Sequence, residues 1–259
     1  MAEIKPIRFT SKDTLDQAAD ISDQGVCLAV QFAPLAKTIL SQKSAATVIE
    51  SVHIISGFLE AAASLDDTYG QDAELPVEGA ANAADEACRA MADLQNQLHQ
   101  LDLTAHNEAP QSTVIALDAI VIGIGLWCMR HQLVIVAPEP IINALARRAN
   151  EAASKQETAA TFALMQGFVA LLRPMFQADL ERSNPDRPWR VLNVNFAITA
   201  IRTGDETMMR YAFDNLNETL PDERSGFYAE AHTLASLPGF PDGVRNLIEQ
   251  EHRRFSPIH

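Results

Sequence analysis

Hydrophobic residues recur at steps of three and four along the chain from Ser44 to His252, with almost no strand-like alternation between them. In the stretch 156–177, seven large apolar side chains share this spacing: Phe162, Met165, Phe168, Val169, Leu172, Met175 and Phe176. Such a spacing places side chains on one face of a helix, where they pack against a neighbouring helix. The pattern therefore predicts an all-α protein of antiparallel helical hairpins or a bundle, with an α-α superhelix as one form of the C-terminal half.

Capping residues, glycines and prolines set the limits of the predicted helices. Residues 3–9 alternate as in an extended segment, and a short helix is expected at Thr10–Ser22. Val26–Phe32 is predicted to be either a strand or a buried helix, and Pro34 is expected to end or kink it in both cases. Asp66–Gly79 is expected to be a loop. Further helices are predicted at residues 44–65, 80–101, 112–131, 139–153, 156–180, 189–203, 206–220, 223–237 and 242–255.

Acidic residues are concentrated in the first part of the chain. Residues 1–110 hold seventeen acids and six bases, whereas residues 111–259 hold seventeen and fourteen, for a net charge of −14. The polar segment Asp102–Gln111 is the predicted boundary between an acidic N-terminal helical region (1–110) and a C-terminal helical-hairpin domain (111–259), with a single domain as the alternative. Because an acidic surface repels phosphate backbones, we expect no nucleic acid; solubility or a cationic partner accounts for the charge.

Cysteine usage and the first residues of the chain favour a cytoplasmic location. Cys27, Cys88 and Cys128 form no disulfide or zinc-binding pattern and are expected to be apolar thiols. Residues 1–6 lack the apolar core of a signal peptide. The apolar stretch Val114–Val136 is interrupted by charged side chains, and its longest uninterrupted part has about eleven residues, where a membrane span needs about 20. It is therefore predicted to be a buried central helix without membrane contact.

One segment of the last third resembles a single tetratricopeptide repeat. The matching residues are Phe196, Ala197, Gly204, Asp205, Phe213 and Pro221. The resemblance covers residues 193–221 and implies two helices that approach closely at the small residue, turn at the glycine and stop at the proline. Met209 departs from it, because the family has a small residue there. Since one such unit cannot bury its apolar face alone, a longer array and generic helical hairpins are the alternatives.

Two Glu-x-x-His spacings, Glu50/His53 and Glu249/His252, match the ligand spacing of di-iron carboxylate bundles. Ligands of that kind must face the bundle core, but Glu50 and His53 lie opposite the apolar stripe of their helix. We therefore expect no metal and no cofactor, and a di-iron bundle is kept as the second alternative function.

Asp118 is a carboxylate among isoleucine, leucine and valine residues, where it needs a partner or a cavity. A structural ion pair with a side chain from elsewhere in the chain is favoured over a catalytic acid. Asp118 and Trp127 mark the pocket of the first alternative function, an α-helical enzyme or small-molecule binder. Cys128, three residues before His131, is predicted to be an inert core thiol rather than a catalytic nucleophile.

Arginine and asparagine cluster in the last third of the chain, at Arg187, Arg190, Asn193, Asn195, Arg202 and Arg210. A polar stripe on one helix of stacked hairpins can line a groove that holds a peptide carboxylate, although a solvated face is the alternative. The candidate binding residues are Arg190, Asn195, Thr199 and Arg202. The leading hypothesis is a non-catalytic scaffold or adaptor that binds a protein or peptide, with homo-oligomerisation left open.

Overall fold

The computed structural model is helical throughout its described part, which contains no strand. This confirms the predicted all-α class. The described residues are 25–42, 45–70, 74–75, 79–105, 111–176, 184, 186–237 and 239–256. The extended stretch predicted at 3–9 and the helix predicted at Thr10–Ser22 lie outside them.

The helices are, in chain order, α1 (Gly25–Gln42), α2 (Ala46–Tyr69), α3 (Ala80–Ala105), α4 (Gln111–Arg130), α5 (Glu139–Glu151), α6 (Lys155–Phe176), α7 (Pro188–Thr203), α8 (Glu206–Thr219), α9 (Arg224–Ala235) and α10 (Asp242–Phe255). Val26–Phe32 belongs to α1, and Pro34 lies inside that helix instead of ending it. The loop expected at Asp66–Gly79 begins later, since α2 continues to Tyr69 and ends at Gly70, which has a φ of 92°.

The chain divides into two compact units, of which the first ends at Ala144 and the second begins at Leu145. The division therefore lies beyond the boundary predicted at residue 110. The reason is packing, because α4 lies against α1 and α3 and so belongs to the N-terminal unit although it follows the polar segment. Loop composition marks where a helix ends, but it does not tell which helices share a core.

In the N-terminal unit, α1 packs against α2 and α4, α2 packs against α3, and α3 packs against α4. α4 supplies the centre of this core, where Leu117, Val121 and Ile124 are buried. Gly123 lets α1 approach α4 closely, since a Cβ atom there would lie 2.5 Å from the side chain of Leu28. The apolar stretch that predicted a buried central helix is thus the core of this unit.

In the C-terminal unit, α6 packs against α7, α7 against α8, and α9 against α10. Between α7 and α8, Gly204 adopts a left-handed conformation with a φ of 71°. The Asp205 carboxylate accepts hydrogen bonds from the backbone amides of Thr207 and Met208, which caps the N-terminus of α8. The helix–turn–helix predicted at residues 193–221 is confirmed by these contacts.

Three described helices are long and apolar enough to cross a membrane, judged by length and composition alone: Ala46–Tyr69, Thr113–Arg130 and Lys155–Phe176. α4 is therefore long enough and apolar enough to cross a membrane, although its longest uninterrupted apolar stretch is shorter than a membrane span. In the present fold, α4 buries its apolar face against other helices, and α2 exposes Glu50 and Glu60. The lack of membrane contact stays a prediction.

Candidate functional site

The N-terminal unit contains a buried polar cluster between the C-terminal ends of α2 and α4. Asp66 Oδ1 accepts a hydrogen bond from Trp127 Nε1 at 2.9 Å and lies 2.7 Å from His131 Nε2. Asp66 Oδ2 lies 3.7 Å from the guanidinium of Arg130. The side chains of Asp66 and His131 are 2% and 0% exposed. The ring of Phe58 packs edge-on against Trp127, with 5.4 Å between the centroids, and helps to enclose the cluster.

This cluster is able to hold helices together, but it offers no accessible reactive group. An aspartate–histidine pair can act as a base where substrate reaches it, whereas both partners here are enclosed by protein. A buried carboxylate that meets an indole N–H, an imidazole and a guanidinium fixes the relative position of the elements that carry them. Sequence reasoning missed Asp66 because the aspartate pair at 66–67 was assigned to a loop.

The two residues of the predicted small-molecule pocket make separate contacts inside the N-terminal unit. Asp118 accepts a hydrogen bond of 2.7 Å from the side-chain amide of Gln95 on α3, whereas Trp127 donates to Asp66. Nine residues of helix correspond to a rise of about 13 Å, so Asp118 and Trp127 are about two and a half turns apart. Asp118 thus has a hydrogen-bond partner on another element, the Gln95 amide, while the expected ion pair stays a prediction.

Burial also suppresses thiol chemistry in this unit. It raises the pKa of Cys88 to about 12, and the negative charges of Asp85 and Glu139 add to the effect. It likewise raises the pKa of Cys128 above the ordinary value. Asp85 is held in place by the backbone amide of Val136, which donates a hydrogen bond of 2.8 Å. Cys128 is buried, as predicted, and the raised pKa of both thiols disfavours the thiolate, which is the nucleophilic form.

The C-terminal unit contains an apolar cavity of about 280 Å³ between α7 and α9, which we call the α7–α9 groove. Its lining residues are Val194, Ile198, Ile201, Arg202, Phe227, Glu230, Ala231, Leu234 and Phe240. On each helix these residues recur at steps of three and four, so each set covers one face over about two turns. Ile198 is 39% exposed and Leu234 is 51% exposed. The groove is thus an apolar surface that is open to solvent.

The two walls of the groove are fixed by packing on their far sides. α7 packs against α6 and α8, where the rings of Phe162 and Phe196 stack with 4.6 Å between centroids. α9 packs against α10, where the rings of Tyr228 and Phe255 stack at 5.7 Å. The Tyr228 hydroxyl also donates a hydrogen bond of 3.1 Å to Asn217 on α8. The groove is therefore preorganised, which lowers the entropy cost of binding.

Three of the four predicted binding residues are engaged away from the groove lining. Arg190 forms an ion pair with Glu223, in which Nε and Oε1 are 2.8 Å apart. Asn195 donates a hydrogen bond of 2.8 Å to the carbonyl of Val191 on its own helix. Thr199 is buried, and its hydroxyl donates to the Asn195 carbonyl at 2.7 Å. The residues of the polar stripe predicted on α7 therefore do not form one surface, because Thr199 is buried in the core and Arg202 is exposed.

Arg202, the fourth predicted residue, lines the groove together with Glu230 of the opposite wall. The Arg202 guanidinium donates hydrogen bonds to the carbonyl oxygens of Ala149 and Ala152. A cation there offsets the negative end of the α5 dipole. Glu230 is exposed, and it makes no hydrogen bond or ion pair with any residue that the structure describes. In the groove, the Arg202 guanidinium is thus hydrogen-bonded, whereas the Glu230 carboxylate has no partner among the described residues.

Within the described residues, no group of three or more His, Cys, Asp or Glu side chains is placed to hold a metal ion. Glu50 and His53 are exposed on α2. Glu249 pairs with an arginine of its own helix, and the ring of His252 stacks on His232 with 4.6 Å between centroids. These contacts give the di-iron alternative no support.

No protein-family model, no curated protein and no solved structure matches the chain. The resemblance of residues 193–221 to a tetratricopeptide repeat therefore describes the shape of one hairpin and carries no function. Function is inferred below from the geometry of the groove.

Sequence reasoning missed the apolar residues of the groove because it searched α7 for polar side chains. The signal was a second apolar stripe, Val194, Ile198 and Ile201, beside the buried stripe that contains Leu192 and Phe196. A helix with apolar residues on more than one face packs against more than one neighbour or exposes a binding surface.

Proposed function

We propose that this protein is a non-catalytic, cytoplasmic binding protein whose α7–α9 groove takes one face of an amphipathic helix from a protein partner. The observation that carries the proposal is the exposure of Ile198 and Leu234, two large aliphatic side chains on facing walls. Contiguous apolar surface of this kind is typical of sites that bind a partner. An apolar groove between two helices is a surface into which an amphipathic helix can place its apolar face.

The openness of the groove favours side chains of a partner over an enclosed small molecule. Small-ligand pockets typically hold about 300–1,000 Å³ and enclose most of the ligand. The α7–α9 groove holds about 280 Å³ and is open at Ile198 and Leu234. Each large apolar side chain that it buries favours binding by about 1.5–3 kcal/mol. Three such anchors contribute about 5–9 kcal/mol before the cost of association and of ordering the partner, so we expect a dissociation constant no tighter than about micromolar.

The test is a selection of displayed peptides of about 16 residues, or roughly four helical turns, on the purified full chain. We expect the enriched peptides to carry large apolar residues at positions i, i+3 or i+4, and i+7. Ile198→Asp places a charge in the groove and is expected to weaken their binding at least about tenfold. The matched control is Val134→Asp, the same kind of change at a valine of the N-terminal unit that is 63% exposed, which should leave the affinity unchanged.

Two results would count against this function. One is the absence of enriched peptides with spaced apolar residues, and the other is unchanged peptide binding by Ile198→Asp. A third result would reassign the groove: if the chain floats with phospholipid vesicles and Ile198→Asp abolishes the flotation, the groove binds a membrane surface and not a helix.

A further inference from the structure

We infer that the helix bound in the α7–α9 groove carries a lysine or arginine opposite Glu230, so that the partner is a cationic amphipathic helix. This inference rests on the proposed function and adds the charge of the partner. Glu230 lies on the α9 wall, between Phe227 and Leu234 in the sequence, and lines the same cavity as both. The lining is almost wholly apolar and Glu230 is exposed, so its carboxylate lies at the rim of the groove. A helix whose apolar anchors enter the groove brings its flanking residues to that rim.

The charges of the groove are asymmetric because its two ionised residues are engaged differently. Arg202 is exposed and directs its guanidinium to the carbonyl oxygens of Ala149 and Ala152, where the negative end of the α5 dipole offsets part of its charge. Glu230 has no such partner among the residues that the structure describes. Of these two charged side chains, Glu230 is therefore the one that a bound helix can pair with without displacing a hydrogen bond seen among the described residues.

Binding removes water from the Glu230 carboxylate, and this loss is unfavourable unless the partner supplies a donor. A lysine or arginine one turn from an apolar anchor supplies both the hydrogen bond and the opposite charge. The whole chain carries a net charge of −14, which attracts a cationic segment from a distance and speeds its association. The same net charge disfavours a second copy of this chain as the occupant.

The experiment repeats the peptide selection on wild type, on Glu230→Lys and on Asp214→Lys. Asp214 is exposed on α8 and does not line the groove, so its substitution changes the net charge by the same amount at another place. Wild type and Asp214→Lys should enrich lysine or arginine at one fixed position relative to the apolar anchors. Glu230→Lys should enrich aspartate or glutamate at that position.

Affinities of a peptide pair that differs only by lysine or glutamate at this position give the magnitude. We expect wild type to prefer the lysine peptide about fivefold and Glu230→Lys to prefer the glutamate peptide by a similar factor. The preference of wild type should shrink as salt is raised, since screening weakens a partly exposed pair.

The possible failures are distinguishable. If all three proteins enrich the apolar anchors without a preferred charge, the inference is overturned and the proposed function stands. If Asp214→Lys reverses the preference as Glu230→Lys does, net charge is responsible and the inference is again overturned. If no protein enriches the apolar anchors, the proposed function fails and the inference fails with it.

Discussion

The polar cluster of the N-terminal unit and the apolar groove of the C-terminal unit differ in the kind of side chain that sits in an unusual environment. The N-terminal unit buries carboxylates, of which Asp66, Asp85 and Asp118 each accept hydrogen bonds inside the unit. The C-terminal unit exposes large aliphatic side chains, of which Ile198 and Leu234 face each other across a groove. A buried carboxylate with its partners fixes the elements around it, whereas a contiguous exposed apolar surface is typical of a binding site.

We therefore expect the buried carboxylates to determine stability and the exposed aliphatic residues to determine binding. Substitutions at the buried carboxylates are expected to lower the free energy of unfolding of the N-terminal unit and to leave peptide binding intact. Substitutions at the exposed aliphatic residues are expected to do the reverse. The predictions below test this separation, from the largest expected change to the smallest.

Asp66→Ala is expected to destabilise the N-terminal unit by about 3–5 kcal/mol, the usual result of removing one partner of a buried ion pair. The substitution deletes the acceptor that Trp127 and His131 share and the counter-ion of Arg130. The chain has two tryptophans, so urea unfolding followed by Trp127 fluorescence in a Trp189→Phe background reports this unit alone.

The matched control for this prediction is Asp67→Ala, which removes the exposed aspartate next in the sequence. It should change the free energy of unfolding by less than about 0.5 kcal/mol. A loss below about 1 kcal/mol for Asp66→Ala would contradict the structural role of the cluster.

High pH is expected to destabilise the N-terminal unit through Cys88. Burial raises the pKa of this thiol from an ordinary 9.0 to about 12 in the folded chain. Between these values the unfolded chain has released the proton and the folded chain still holds it, so stability falls as pH rises from 9 toward 12. The expected loss is about 2–3 kcal/mol by pH 11.

Urea unfolding of wild type and of Cys88→Ala across pH 8–11 measures this contribution, because other ionising groups act equally in both proteins. The curve of Cys88→Ala should decline less steeply above pH 9. Parallel curves would mean that the thiol ionises equally easily in the folded and unfolded chain.

Asp205→Ala is expected to cost about 1 kcal/mol, because it removes the cap of α8. The amides of Thr207 and Met208 lose their acceptor and should exchange hydrogen faster, while Asp205→Asn keeps a cap and should exchange at nearly the original rate. Equal exchange in Asp205→Ala and wild type would show that the turn is held by packing alone.

Ile198→Asp is expected to lower the free energy of unfolding by about 1 kcal/mol, since the side chain is 39% exposed and only its remainder is buried in the fold. Thermal unfolding of the full chain measures it. A loss above about 2 kcal/mol would place Ile198 in the core and would remove the main support for a binding groove.

Regular features of the fold could be predicted from the sequence because they depend on local patterns. The apolar run of α4 and the Gly204-Asp205 turn each follow from neighbouring residues, and both are present in the structure. The Asp66 cluster could not be predicted, since its partners on α4 lie more than 60 positions away in sequence. Nothing near Asp66 shows that α2 continues past Leu65 to bring this carboxylate to Trp127.

The groove was only partly predictable for the same reason. A groove on the last helical hairpins was expected, and Arg202 lines it, but the apolar residues that form it were not foreseen. Whether a face of α7 is buried or open depends on which helix packs there. α6 and α8 cover two faces of α7, while Ile198 remains exposed.

Hydrogen–deuterium exchange of the full chain, with and without a peptide selected on wild type, tests the central claim most directly. We expect the peptide to slow exchange at residues 194–202 of α7 and 227–235 of α9, and to leave α2 and α4 unchanged. Slower exchange in α2 and α4 instead, or no change in α7 and α9 at a saturating peptide concentration, would contradict the assignment of function to the α7–α9 groove.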